Sequence, residues 1–436
     1  MPAQLIQGAR LIDPIAGIDG RRDLLAVDGH VSQVAEQITR AEARRECGDA
    51  SLTVMDAAGL WLLPGLVDVH VHLREPGYPQ KETIATGTQA AAAGGFTTVV
   101  CEPNTDPPID SVDIVRDVVA RAEKEGRVHV YLKAAMTKGR RGEEPNDIAS
   151  LAAEERVVAL SDDGDPVVRP GVMAEVCRRA AEADILLSPH CADSPRALEQ
   201  MADGVDPGFQ PGEPGTNEAR YIERDIEIAA EQGCRMHFSH VSLAESVEAI
   251  RRGRSRAWVT CEATPHHLLL CAEDFDPDQP PAVNPPIRSR EDRDALRRAL
   301  LAGQIEAIAS DHAPHTAEDK AAGACGLIGL ETTLGLVLTH LVGPGMLAPP
   351  DVVRLLSAAP ARIFGLPAGS LEVGDAADMV LVDPENEWTV NPESFRSLSR
   401  NSPWAGRTLR GKAMATFVAG REAFADQAFS DRKDER

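Results

Sequence analysis

Between Phe96 and Asp311, short β-branched apolar runs alternate with longer amphipathic stretches rich in Ala, Glu and Arg, the pattern of successive βα units. With the run just before them, eight strands are predicted, at 66–73, 96–101, 128–135, 157–161, 185–190, 235–240, 257–262 and 305–310. Helical periodicity falls between most of these, at 82–93, 111–125, 171–183, 218–232, 243–252 and 291–301. Eight such units over about 250 residues have the size of a (β/α)₈ TIM barrel, an α/β fold whose active sites lie at the C-terminal ends of the strands. The chain ends read differently. Residues 5–34 and 376–424 carry short strand-like runs, such as Leu24 to Val27, Met379 to Val382 and Ala415 to Val418, broken by Gly and Asp turns. They predict a small β-domain formed from both termini, residues 1–60 and 370–436, with the barrel at 61–369 between them. The charged tail 430–436 is expected to fray.

Composition narrows the class. An apolar content of 43% over 436 residues buries a large core and excludes disorder. A net charge of −23 argues against nucleic acid and anionic membranes as partners, because both select clustered Lys and Arg. The first twenty residues lack a basic segment leading into an apolar run, and nothing approaches the span of a transmembrane helix. The eight cysteines include no C-x-x-C pair, so neither a disulfide framework nor a thiolate zinc site is indicated. A cytoplasmic enzyme of small molecules is the expectation, and any anionic substrate must meet locally placed cations.

The candidate chemistry begins on the first strand. Period-2 alternation puts Val67, Val69, Val71 and Leu73 on one face, toward the helices, and Leu66, Asp68, His70 and His72 on the other, toward the barrel axis. Two imidazoles spaced in this way can share a metal ion, although H-x-H alone is a weak signal. Its weight comes from polar residues at the same end of other strands: Asn104, Asp162-Asp163, His190, His240 and Asp311. Four histidines and two carboxylates exceed one tetrahedral zinc and suit two. Of the adjacent aspartates only one reaches the metals, with Asp162 read as the turn residue. His266 and His267 either line the site or serve loop structure, and His30, His129, His237 and His340 are read as core or surface.

The stretches Asp68-Val-His-Val-His-Leu-Arg-Glu-Pro-Gly77, Glu102-Pro-Asn-Thr105, Ser161-Asp-Asp-Gly164, Val283-Asn-Pro-Pro286 and Ser310-Asp-His-Ala-Pro-His315 closely resemble the dihydroorotase family of the long-chain bacterial type. The resemblance spans nearly the whole chain. It implies two Zn²⁺ per chain, the first on His70 and His72, the second on His190 and His240, with Asp163 bridging and Asp311 binding the first while handling protons. It further implies that Arg74, Asn104 and His315 hold a substrate carboxylate, that Asn284 contacts the ring, and that backbone near Cys325 and Gly326 covers it. The loop 316–324 is shorter than is usual for the family. The implied substrates are N-carbamoyl-L-aspartate and L-dihydroorotate, in a homo-oligomer, with association with an aspartate transcarbamoylase left open. Hydantoin- and allantoin-cleaving relatives usually bridge their metals with a carboxylated lysine, for which Lys133 is the nearest candidate. Allantoin-cleaving relatives also tend to carry Asn where Arg74 stands. A metal-free structural homologue, the remaining alternative, would have lost ligands that this chain retains.

Overall fold

The computed structural model describes residues 3–48, 50–202, 217–276, 280–430 and 432–434. The chain opens with β1 (Ala3–Asp13), β2 (Ile18–Val27), β3 (His30–Ala35), β4 (Leu52–Asp56) and β5 (Trp61–Pro64). It then enters the barrel through β6 (Leu66–Val71), β7 (Phe96–Cys101), β8 (His129–Ala135), β9 (Val157–Ser161), β10 (Leu186–Leu187), β11 (Met236–Phe238), β12 (Val259–Ala263) and β13 (Ala307–Ile308). It returns to the first sheet with β14 (Met379–Thr389), β15 (Thr408–Val418), β16 (Arg421–Ala425) and β17 (Lys433–Asp434).

The eight inner strands pair in sequence order, all parallel. Between the first and last strands the ring is closed by a parallel bridge of Val71 to His312, by the His72 N–H donating to His312 O at 2.9 Å, and by the Asp68 carboxylate accepting from Ser310 N at 3.2 Å. Asp68 thus closes a seam. Burial pushes its carboxyl up to about 7. The simple alternation expected of the first strand does not survive. Val67 and Val69 cluster with Val100, Ala159, Leu186, Ala309 and Phe364, whereas Val71 and Leu73 join the main core. The physical reason is a break in the β6–β7 register between Asp68 and Val71, since one irregular residue resets which side chains share a face.

The terminal strands form one nine-stranded sheet, in which β5 lies between β1 and β14. Its core of Ile6, Leu11, Leu24, Leu62, Met379, Leu381 and Phe417 draws on both chain ends. The tail expected to fray is held in part, because Lys433 and Asp434 pair with Met55 and Val54; residues 431, 435 and 436 lie outside the described residues. All eight cysteines are free, and only Cys325 is exposed. No helix among the described residues is long and apolar enough to cross a membrane.

Candidate active site

The strand ends bring the predicted polar residues to one place. His70 closes the regular part of the first strand, and its Nδ1–H donates to Glu262 Oε1 at 2.8 Å, which leaves Nε2 facing Asp163 Oδ1 at 3.3 Å and Asp311 Oδ1 at 3.7 Å. His72 donates from Nδ1 to Asn104 Oδ1 at 2.8 Å, so its Nε2 meets Asp311 Oδ1 at 3.1 Å and Asp163 Oδ2 at 3.7 Å. His190 Nδ1 and His240 Nε2 lie 3.2 and 3.4 Å from Asp163 Oδ1. Four imidazoles therefore converge on Asp163. Its neighbour Asp162 turns away and accepts from Thr137 N at 3.1 Å.

The electrostatics favour cations here. Burial opposes charge on His70, but the carboxylates of Glu102 and Asp163 outweigh it and hold the imidazole well above its ordinary range. Burial likewise opposes charge on Asp163 and Asp311, yet the surrounding histidines hold both carboxyls below the usual range. His70 Nε2 is buried with no hydrogen-bond partner, and once it gives up its proton its lone pair is free for a metal ion. Two sets, His70 with Asp163 and His240, and His70 with His72 and Asp311, each gather their ligand atoms within 4.8 Å, close enough to share an ion. The backbone is held in an unusual shape at the same place. Arg74, His240 and Asp311 have φ of 62°, 35° and 48°, a left-handed region that costs a non-glycine residue about 1–3 kcal/mol and that clusters at functional sites.

Beside these groups lies a cavity of about 280 Å³ lined by Arg74, Asn104, Gly164, Asn284, His315, Cys325 and Gly326, with Ser194 and Pro195 as lining residues that no sequence signal marked. Arg74 donates from Nε to Pro314 O at 3.1 Å and lies with Nη2 3.2 Å from His315 Nε2. Burial, together with the charges of Arg74 and Lys81, lowers His315 to about 4, so at neutral pH its ring is uncharged and accepts from Arg74. Asn284 Nδ2 lies 3.3 Å from His190 Nε2 and donates to Asp193 O at 3.2 Å.

Several residues take roles that the sequence left open. His267 is structural: it bonds Thr264 Oγ1 at 2.8 Å and Pro285 O at 3.0 Å, which fixes the loop bearing Asn284. His237 sits in the core, 3.1 Å from Glu262 Oε2. Lys133 forms a wholly buried ion pair with Glu102 and donates to Ser188 Oγ at 3.0 Å. The carboxylates of Glu102 and Glu262 outweigh burial and raise its ammonium, whereas carboxylation by CO₂ needs a free amine. It is not placed as a bridging lysine. Glu262, which orients His70, escaped sequence reasoning because it lies inside a strand without a motif of its own; Glu102 and Lys133 were named, but their pairing with each other was not.

A barrel that gathers histidines and aspartates at the C-terminal ends of its strands is the scaffold of one broad class of hydrolases, and the chain belongs to the amidohydrolase family, whose profile matches residues 61–423. More particularly, it is 40% identical to the dihydroorotase of Pelotomaculum thermopropionicum, over 97% of this chain and 99% of that one. It is 42% identical to the dihydroorotase of Anaeromyxobacter dehalogenans strain 2CP-1, over 95% and 96%. Among solved structures, the L-hydantoinase (dihydropyrimidinase) from Arthrobacter aurescens superposes with a TM-score of 0.82 at 26% identity, covering 98% of this chain and 99% of that one. A D-hydantoinase from a Thermus species, at 23% identity and TM-score 0.81 over 97% and 95%, shares the fold.

Proposed function

We propose that this protein is a cytoplasmic, zinc-dependent dihydroorotase that interconverts N-carbamoyl-L-aspartate and L-dihydroorotate in pyrimidine synthesis. The observation that carries the reading is a carboxylate, Asp163, ringed by four imidazoles beside a cavity that presents Arg74. The donor set and the orphaned His70 Nε2 suit zinc. His70, His72, Asp163 and Asp311 would hold one ion, and His190, His240 and the shared Asp163 the other. Bound there, two zinc ions supply a water that ionises near neutral pH and a polarised carbonyl.

The chain supplies the rest. Arg74, with Asn104 and neutral His315 beside it, holds the substrate carboxylate, and Asn284 and the backbone near Cys325 and Gly326 orient the ring. Asp311 takes the proton of the attacking water and returns it to the ring nitrogen as the amide bond breaks. Two dications against two aspartates leave the site positive within a chain of net charge −23, which favours an acidic ring over a neutral one.

Elemental analysis of unstripped protein is expected to find about two zinc per chain, and L-dihydroorotate is expected to be hydrolysed in preference to hydantoin, dihydrouracil and allantoin. Arg74→Met should raise KM by tenfold or more through loss of a charge-assisted contact of about 1.5–3 kcal/mol, with zinc retained. Absence of transition metal, with no activity gained on adding Zn²⁺, Co²⁺ or Mn²⁺, would defeat the metal assignment. Unchanged KM in Arg74→Met would defeat the carboxylate assignment.

A further inference from the structure

One wall of the cavity is the loop that follows β13, runs from Ala313 past His315, makes a short helix at Ala317–Ala321 and returns through Cys325 and Gly326. A brief excursion of this kind at a barrel mouth has the outline of a mobile flap, but its hydrogen bonds describe a fixture. The Gly326 N–H donates to Ala282 O at 2.9 Å, two residues before Asn284. The Gly326 carbonyl accepts twice, from Lys320 Nζ at 2.9 Å and from Asn401 Nδ2 at 2.8 Å. Lys320 also donates to Ala282 O at 3.1 Å and Ala324 O at 2.7 Å, so its three N–H donors meet three carbonyls. Asn401 reaches Ala313 O at 3.3 Å as well, and its own backbone O accepts from Ile328 N at 3.1 Å.

The peptide held in this way is one that only glycine can form. Gly326 has φ of 143°, and a Cβ there would stand 2.7 Å from Ala313 Cβ and 3.1 Å from His315 Cδ2. The Gly326 backbone is thus packed against the imidazole that accepts from Arg74. Its N–H is committed to Ala282, so Gly326 meets the cavity as a surface rather than as a donor. Asn401 comes from a different part of the chain, the excursion between β14 and β15. Two side chains from separate parts of the chain fix the same carbonyl.

We propose that Lys320 and Asn401 are positioning residues that clamp the Gly326 peptide into a preformed wall of the substrate site, acting on the bound ring through Gly326 and His315. The inference rests on the dihydroorotase reading and deepens it. Lysine suits the task because its ammonium is a compact charge with three rotatable donors; losing it takes a charged donor from three carbonyls, of which Gly326 O keeps Asn401 and Ala282 O keeps the Gly326 N–H. A wall that is already formed contacts ground state and transition state alike, so weakening it should raise KM and spare kcat.

The test uses zinc-loaded, full-length protein. Lys320→Met keeps the stem and removes the donors; Asn401→Ala releases the same carbonyl from the other side and serves if the lysine variant does not fold. Amide hydrogen exchange without substrate should speed up about tenfold around Gly326 in either variant, the loss of roughly one hydrogen bond, from a charged donor in Lys320→Met and a neutral one in Asn401→Ala. KM for L-dihydroorotate should rise by a similar factor, with kcat within about threefold and zinc content unchanged. Lys320→Arg, which restores a cation with several donors, should recover part of both effects. Unchanged exchange in both variants would show that no clamp exists. Faster exchange with unchanged KM, or a fall in kcat alone, would remove the clamp from substrate positioning. If wild-type protein fails to hydrolyse L-dihydroorotate, the functional reading falls, while the exchange measurement still decides whether the clamp is real.

Discussion

Two buried polar clusters are stacked along the barrel axis, and His70 belongs to both. Above it, Asp163 and Asp311 face imidazoles; below it, Glu262 accepts from His70 and His237, and Glu102 pairs with Lys133. The residue types are similar and both clusters are buried, yet they invite opposite treatment. The lower one contains a fixed ammonium, so its carboxylate charge is answered by the chain itself. The upper one is answered mainly by imidazoles, with the Arg74 guanidinium at its edge, and a metal ion can replace a proton at the same nitrogen. Openness to metal therefore depends less on how many ligands converge than on whether a protein cation already occupies the middle.

The largest expected effect breaks the upper cluster chemically. Asp311→Asn keeps size and a weak ligand but cannot relay a proton, so hydrolysis and ring closure should both fall by about 10²–10⁴ or more while zinc stays bound. In wild type the two directions should have opposite pH profiles, hydrolysis rising and cyclisation falling over one range. The apparent pKa belongs to the coupled group. Parallel profiles, or high activity in the zinc-loaded variant, would move the proton role elsewhere, with His315 next in line.

A smaller effect is expected on breaking the lower cluster. Lys133→Met strands Glu102 in the barrel and should cost about 3–5 kcal/mol in urea unfolding. Replacing both, Glu102→Met with Lys133→Met, should recover most of that, since an apolar pair of similar volume is often as stable as a buried ion pair. If the double variant is no more stable than the single, the pair is not self-contained, and the contrast with the upper cluster weakens.

The smallest effect concerns a carboxyl with neither metal nor lysine. Glu331 accepts from Arg396 N at 2.7 Å and Ser397 N at 3.3 Å, and burial pushes it up to about 7. Its folded pKa exceeds the unfolded one, so the penalty is absent below the ordinary Glu range, grows as pH rises toward 7 and is complete above it. Glu331→Gln, which keeps the acceptor, should be more stable than wild type by about 2 kcal/mol at pH 8 and indistinguishable near pH 4. A difference independent of pH would assign the effect to packing.

The sequence carried the repeating unit and the polar residues that converge at the strand ends, because a strand end followed by a polar residue is a local pattern. It carried less of the strand lengths. The fifth and eighth strands shrink to Leu186–Leu187 and Ala307–Ile308, since the residues beyond them leave the ladder to aim side chains into the site. Alternation on the first strand misled for a similar reason, as the break between Asp68 and Val71 is a property of pairing with its neighbour. The helices from Thr333 to Phe364 went unassigned, their apolar positions lacking a clean stripe because residues are buried on more than one side, with only Arg362 fully exposed within them. Glu262 and Lys133 were illegible because their meaning depends on partners on other strands.

The interleaving of both chain ends in one sheet also sets an order of events during synthesis. Pro64 pairs with Met379, and the carbonyl of Gly326 waits for Asn401, so roughly 300 residues must leave the ribosome before the first can close. At about 5–20 residues per second that is some 15–60 s. Throughout this interval β1 to β5 have an unfilled edge, and the nascent barrel has a mouth whose far wall is untied. A chain stalled or cut before Asn401 would carry every candidate metal ligand and still lack one of the two side chains that hold the Gly326 carbonyl.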